Sequence, residues 1–368
     1  MSHIRAFFKK EPVLAIAAIA AVLSMFLVPP SAAYIDYIDV RVLCLLFCLM
    51  AVVAGLQNCG LFDLLAQRLL AGKQSLRRVV LLLVLLPFFS SMLVTNDVAL
   101  ITFVPFAILV LQTIDHKEQT IRVIVLQTVA ANLGSMATPV GNPQNLFLYA
   151  NYQLSAAQFF GTMLPLTLAS LVLLVLLTFL VPKTIIQISF AEKKTLDRPR
   201  LLMAYGILFV LCLLSVFHVL PYGILTAIVL VAFLLLERSV LGRVDYGLLV
   251  TFVCFFIFAG NIGCIGAVRD LLTGLLERST LLSSILASQV ISNVPAAVLL
   301  SGFTADWQGL LIGVNLGGLG TLIASLASLI SFKYYAALPD AESGRYMAVF
   351  TVINLLGLLI LIPLALLF

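Results

Sequence analysis

Asn132, Thr138, Asn142 and Asn145 fall within one short stretch, with Gly134, Pro139, Gly141 and Pro143 between them. The stretch lies inside an apolar segment running from about Ile121 to Ala150. Amides and a hydroxyl at that spacing, beside backbone that glycine and proline release from helical pairing, are ligands for a small ion or polar solute. Non-helical backbone within a bilayer is tolerated only where protein buries it or a wet cavity touches it. A proline kink with packing glycines is the plainer account. Recurrence favours the first. Asn315, Gly317 and Thr321 stand 183 residues after Asn132, Gly134 and Thr138, and Ser325 and Ser328 stand 183 after Asn142 and Asn145. Paired, glycine-interrupted segments in corresponding halves of a membrane chain point to a transport site.

Two further polar interruptions belong with these. Thr95-Asn96-Asp97 divides the apolar run 79–113, and Ser292-Asn293-Val294 divides the run 281–303, with Asn293 standing 197 after Asn96. The candidate binding set is then Thr95, Asn96, Asp97, Asn132, Thr138, Gly141, Asn142 and Asn145 from one half. Ser292, Asn293, Asn315, Thr321 and Ser325 complete it from the other. Asp97 is the one acid placed deep in the membrane, where a charge is costly and serves as cation ligand or proton carrier. Capping the arm that begins Asp97-Val98-Ala99 is the structural alternative, and the two roles are compatible. A sodium ion, if sodium is the coupling ion, is expected at Asn96, Asp97 and Asn293. Val294 takes Asp97's place in the second half, so the two ends of the site differ chemically. No Arg or Lys is placed at mid-depth, which leaves an anion to helix N-termini, amides and a co-bound cation. No cofactor is expected beyond that coupling ion, Na+ or H+.

The elements that carry these residues follow from composition. A chain that is 62% hydrophobic and 10% charged is a polytopic membrane protein, with no separate soluble domain. The net charge of +5 says nothing of nucleic acid, because the basic residues sit in short loops and report topology. The six cysteines form no CxxC or Cys/His cluster, which argues against a zinc site or disulfide framework. P-loop, HExxH and GxSxG patterns are absent, and an aspartyl intramembrane protease needs a second deep acid. The chain therefore reads as a transporter and not an enzyme.

Arg5, Lys9 and Lys10 precede the run Val13–Val28 and place the N-terminus in the cytoplasm. Ser31-Ala32-Ala33 resembles a signal cleavage site, but a retained span is favoured because the second half has its counterpart. A span over Val40–Asn58 returns inward, and Gly60–Gly72 reads as an amphipathic interfacial helix. The run 79–113 suits a re-entrant hairpin entered from the cytoplasm, followed by the broken helix 121–150 and a span over Phe159–Val181. Lys183, Lys193, Lys194, Arg198 and Arg200 make the most basic inner loop. Spans over Leu201–Val219, Pro221–Leu236 and Tyr246–Ile265 lead to the hairpin 281–303, the broken helix 306–335 and a last span, Met347–Leu367. Gly260 and Cys264 stand 205 after Gly55 and Cys59. The expected fold is all-α and polytopic, in two inverted-topology repeats. Residues 1–182 form the first, 183–220 a cytoplasmic loop with a connecting span, and 221–368 the second.

At Thr95-Asn96-Asp97-Val98-Ala99-Leu100, at Asn132-Leu133-Gly134 through Gly141-Asn142-Pro143-Gln144-Asn145, and at Ser292-Asn293-Val294-Pro295, the chain resembles the ion transporter superfamily. It is most similar to the citrate-transporter-like and arsenite-permease/sodium-proton-antiporter branch, related to the divalent-anion/sodium symporters. Symporters of that superfamily hold sodium and a substrate carboxylate at Ser-Asn-Thr hairpin tips. Here each tip lacks the third hydroxyl, and an Asn–Asp pair is similar to the permease and antiporter branch. The resemblance implies a homodimer in the plasma membrane with an elevator-type movement. The expected function is secondary active transport of a small anion, a carboxylate such as citrate or a dicarboxylate, or an oxyanion, coupled to Na+ or H+. Sodium-proton antiport, arsenite efflux and, remotely, an intramembrane enzyme or a channel are the alternatives. The partners expected are that anion and the lipid bilayer, and no nucleic acid.

Overall fold

An apolar chain in lipid has no water to satisfy its amides, so each segment must close its own hydrogen bonds as helix. The computed structural model, which describes residues 12–188, 190 and 198–367, is accordingly mostly helical. Arg5, Lys9, Lys10, Lys193, Lys194 and Phe368 lie outside the described residues. The first half runs α1 (Pro12–Leu27), α2 (Ala33–Tyr37), α3 (Val40–Asn58), α4 (Leu61–Leu70), α5 (Leu76–Ser90), α6 (Asn96–Thr113), α7 (Thr120–Ser135), α8 (Pro143–Asn151) and α9 (Ala156–Thr178). The rest runs α10 (Pro199–Val216), α11 (Tyr222–Leu236), α12 (Tyr246–Gly263), α13 (Gly266–Arg278), α14 (Thr280–Ile291), α15 (Asn293–Ser301), α16 (Trp307–Leu316), α17 (Leu326–Ala336) and α18 (Ser343–Ala365).

Among the described residues six helices are long and apolar enough to cross a membrane: α3, α6, α9, α10, α12 and α18. The 19 residues of α3 reach about 28 Å at ~1.5 Å per residue, close to the hydrocarbon thickness. Asn96–Thr113, expected as a hairpin arm, itself qualifies by length and composition. Polar residues set the starts. The Asp39 carboxylate accepts from the Val42 amide at 3.0 Å, and Ser155 with Gln158 closes a capping box on α9.

The all-α expectation needs one correction. Gly72–Ser75 (β1) pairs antiparallel with Ile185–Ile188 (β2), Gly72 opposite Ile188 and Ser75 opposite Ile185. Both strands are loop backbone at helix ends, and each supplies the partners that the other lacks. The Leu76 amide extends the ladder to the Thr184 carbonyl at 2.7 Å. Four residues are too few for an alternating pattern to register in the sequence.

The helices pack in two groups. In one, α1 lies along α12, and α10 and α11 lie along α3. Asn261 of α12 donates to the Ser24 hydroxyl of α1 at 2.9 Å. In the other, α5 packs on α7 and α14 on α16, while α6 packs on α17 and α15 on α8. The close approaches rest on glycine. A Cβ on Gly134 would stand 2.1 Å from the Phe88 carbonyl oxygen, and one on Gly317 would stand 2.6 Å from the Ser288 hydroxyl. The two groups meet along a seam where α3 faces α8 and α12 faces α15.

Candidate functional site

Four interruptions converge within the second group: residues 91–95, 136–142, 292 and 317–325. At each hairpin turn the first amide of the following helix docks on a carbonyl freed by a helix break. Asn96 N donates to the Gly141 carbonyl at 3.2 Å, and Asn293 N donates to the Ala324 carbonyl at 3.0 Å. Ala324 stands 183 residues after Gly141, the offset that also relates Asn315 to Asn132. Each Asn side chain also accepts from the amide that follows it: Asn96 Oδ1 from Asp97 N at 3.1 Å, and Asn293 Oδ1 from Val294 N at 2.9 Å.

Side-chain amides tie the two breaks together. Asn132 Oδ1 accepts from Asn96 Nδ2 at 2.9 Å and from the Ser325 hydroxyl at 3.1 Å, while its Nδ2 donates to the Gly318 carbonyl at 3.3 Å. Asn315 Oδ1 accepts from Asn142 Nδ2 at 3.1 Å, and its own Nδ2 donates to Asn145 Oδ1 at 2.6 Å. The links cross: Asn132 of the first break holds Ser325 of the second, and Asn315 of the second holds Asn142 of the first. Asn142 also caps α8, with Pro143 at the first helical position where a missing N–H costs nothing. The Thr138 hydroxyl donates to the Met92 carbonyl and fixes the first break to the first hairpin turn.

Two members of the expected set sit differently. Thr321 is exposed and turned away from the network: its hydroxyl donates to the Gln289 carbonyl at 3.1 Å, in an apolar groove beside Leu286 and Phe350. Ser292 occupies a left-handed φ of +74°, which Thr95 at the first turn does not share. Such backbone costs a non-glycine residue about 1–3 kcal/mol and persists only where its surroundings impose it. The Ser292 hydroxyl donates to the Ala324 carbonyl at 3.3 Å.

A cavity of about 400 Å³ opens where the seam meets these breaks. Thr95, Asp97 and Asn142 line one wall and Gln57 of α3 another, with Arg243, Asp245 and Lys333 also in the lining. The remaining wall is apolar. Asp97 Oδ1 is buried with no hydrogen-bond partner among the described residues. Gln57 Nε2 crosses the seam to the Thr102 hydroxyl at 3.2 Å. The start of α1, the end of α3, the start of α12 and the end of α17 all border this cavity. A second cavity, about 260 Å³, lies on the same seam at the opposite helix ends, lined by Tyr37, Asp39, Asn151, Gly263 and Ser301.

Sequence reasoning missed several participants. Ser135 accepts from Asn142 Nδ2 at 3.1 Å, and Gln289 donates to the Gly317 and Leu319 carbonyls at 2.9 and 2.8 Å. Both are polar residues inside apolar runs and could have been found by that signal. Arg243 and Lys333 carry no such signal, since each reads as an ordinary loop or helix-end charge.

The chain matches the family model described as "Citrate transporter" over residues 6–309. It is 32% identical over 325 residues to the uncharacterized transporter MJ0456 of Methanocaldococcus jannaschii, covering 88% of each chain. It is 33% identical over 290 residues to the inner membrane protein YbiR of Escherichia coli, covering 77% of each. A shorter match, 35% identical over 139 residues, is to the silicon efflux transporter LSI3 of Oryza sativa subsp. japonica, covering 36% of this chain and 27% of that one.

Proposed function

The chain belongs to the citrate transporter family of membrane transporters, and from that premise we propose that it is a secondary active transporter of a small anion coupled to Na+ or H+. One observation carries the reading. A wet-sized cavity reaches an acid whose buried oxygen has no partner, directly beside two crossed helix breaks. An unpartnered carboxylate oxygen at that depth is costly unless a cation or proton visits it. Thr95 and Asn142 line the cavity beside it, and Asn293, expected beside Asp97 in a sodium site, belongs to the second turn.

Inverted-topology repeats are part of this proposal. Their support is the paired docking bonds, the crossed asparagine links and the matching approaches at Gly134 and Gly317. Hairpins of the re-entrant kind follow from the same symmetry. An elevator-type movement is supported by the seam, with one cavity at each end of it. On this reading the cavity at Asp97 faces the cytoplasm, because the loop charges assign those helix ends inward, with the N-terminus. A homodimer in the plasma membrane completes the proposal and rests on the family resemblance.

Flux into proteoliposomes tests it. Labelled citrate, succinate or arsenite is offered under an imposed sodium gradient, an imposed pH gradient, or neither. Gradient-dependent accumulation of an anion that disappears in Asp97→Asn is the expected result. Accumulation that ignores both gradients would remove the coupling claim. Sodium-proton exchange is the second reading, favoured by Asp97 being the deep acid of the cavity. It predicts sodium movement against protons with no anion present.

A further inference from the structure

Arg243 and Lys333 line the cavity that holds Asp97, and they reach it from different groups of helices. Arg243 ends the short 3-10 helix Arg238–Arg243 between α11 and α12, and Lys333 lies in the last turn of α17. Loop topology accounts for basic residues at these ends, and a helix dipole favours a lysine in a last turn. Neither accounts for what their charges do. Asp245, the acid nearest in sequence, is engaged as the cap of α12, its Oδ1 accepting from Leu248 N at 2.8 Å. Among the described residues it forms no ion pair with Arg243 or Lys333. Arg243 donates to Asn58 Oδ1, which anchors the guanidinium, and its remaining N–H groups have no partner among the described residues. The Lys333 ammonium has no hydrogen-bond or ion-pair partner among the described residues.

Two cations that no carboxylate pairs among the described residues, set with Asp97 and the helix-capping Asp245 around a concave and largely apolar wall, offer a small anion charge-assisted contacts from both helix groups. We propose that Arg243 and Lys333 form an anion-docking subsite for a small anion of two or more charges, a di- or tricarboxylate or a phosphate-type oxyanion. The guanidinium presents a planar fork that suits both chemistries, and the lysine adds a mobile point charge. An anion held by both bridges the two helix groups. It also lies in one cavity with Asp97, so cation and anion neutralise each other there. The inference deepens the transport reading, which it takes as given for the role of Asp97, but the docking itself stands on the cavity alone.

Direct binding to the purified protein in detergent tests it apart from transport. Thermal midpoint and calorimetric affinity are measured with sodium citrate, sodium succinate and sodium phosphate, each against sodium chloride at equal ionic strength. A saturable rise in midpoint with at least one multivalent anion, absent with chloride, is the expected result. Citrate or succinate alone would identify the carboxylate, and phosphate alone the oxyanion. Arg243→Gln and Lys333→Gln should each weaken that affinity about ten-fold, and Lys333→Arg should recover most of it. The Arg variant also guards against misfolding, since it keeps the charge and must elute as wild type in size exclusion. If anion binding persists where no variant or condition gives transport, the subsite stands and the transport reading falls. An equal response to chloride, or unchanged affinity in the double variant Arg243→Gln/Lys333→Gln, overturns the subsite.

Discussion

Asp97 stands apart from the amides around it. Asn96, Asn132, Asn142, Asn145 and Asn315 commit their side chains to one another or to backbone, whereas Asp97 Oδ1 has no partner among the described residues. The two kinds of residue should therefore answer mutation differently. Asn132→Ala strands the Asn96 amide and the Ser325 hydroxyl, at about 1–3 kcal/mol per orphaned group. Its thermal midpoint should fall by several degrees in a detergent melt. Asp97→Asn removes no side-chain bond of its own and keeps the shape, so its midpoint should stay near wild type while coupled flux is lost. The asparagines were legible in the sequence because a polar amide inside an apolar run is conspicuous. Thr321 turns its hydroxyl to the Gln289 carbonyl and away from the asparagine network, and an offset of 183 residues says nothing of which face a side chain turns to. Arg243 and Lys333 line one cavity only through tertiary packing, and no spacing along the chain predicts it.

Helices and their contacts carry the second scale. The bounds of α3 agree with the sequence expectation, Val40–Asn58, because Asp39 caps one end and the apolar run stops at the other. The β1–β2 ladder and the five-residue α2 escaped it, being too short for any period to show. The repeat of glycines at 134 and 317 was visible as a pattern, but its cause was not. Gly134 lets α7 lie against the Phe88 carbonyl of α5, and a methyl group has no room there. Gly134→Ala should cost several kcal/mol, since the obstruction is backbone and cannot swing aside. Gly161, in α9, has nothing within 4 Å of its would-be Cβ. Gly161→Ala should be neutral or raise stability by up to about 1 kcal/mol through helix propensity alone. Paired thermal melts in one detergent check both, and similar midpoints for the two variants would remove the packing account of the α5–α7 approach.

Across the whole molecule, the seam between the two helix groups is what the account requires to move. Cavities lie at both of its ends, and the Phe147 and Phe256 rings, 5.8 Å apart, help line the second. The Gln57–Thr102 bond spans the seam beside the first cavity. Cysteines at those two positions, in a chain stripped of its six native cysteines and bridged by a short bis-thiol reagent with a cleavable disulfide, should stop flux until a reductant cleaves the bridge. Flux that survives complete cross-linking would mean the seam does not slide. The central claim is that Asp97 couples a cation to an anion within one site. Charge movement in proteoliposomes on a solid-supported membrane tests it most directly, with anion, sodium and pH jumps applied singly and together to wild type and Asp97→Asn. The account predicts a transient current that needs both an anion and a cation gradient and that vanishes in the variant. A current evoked by a sodium or pH step with no anion present, or one undiminished in Asp97→Asn, would contradict it.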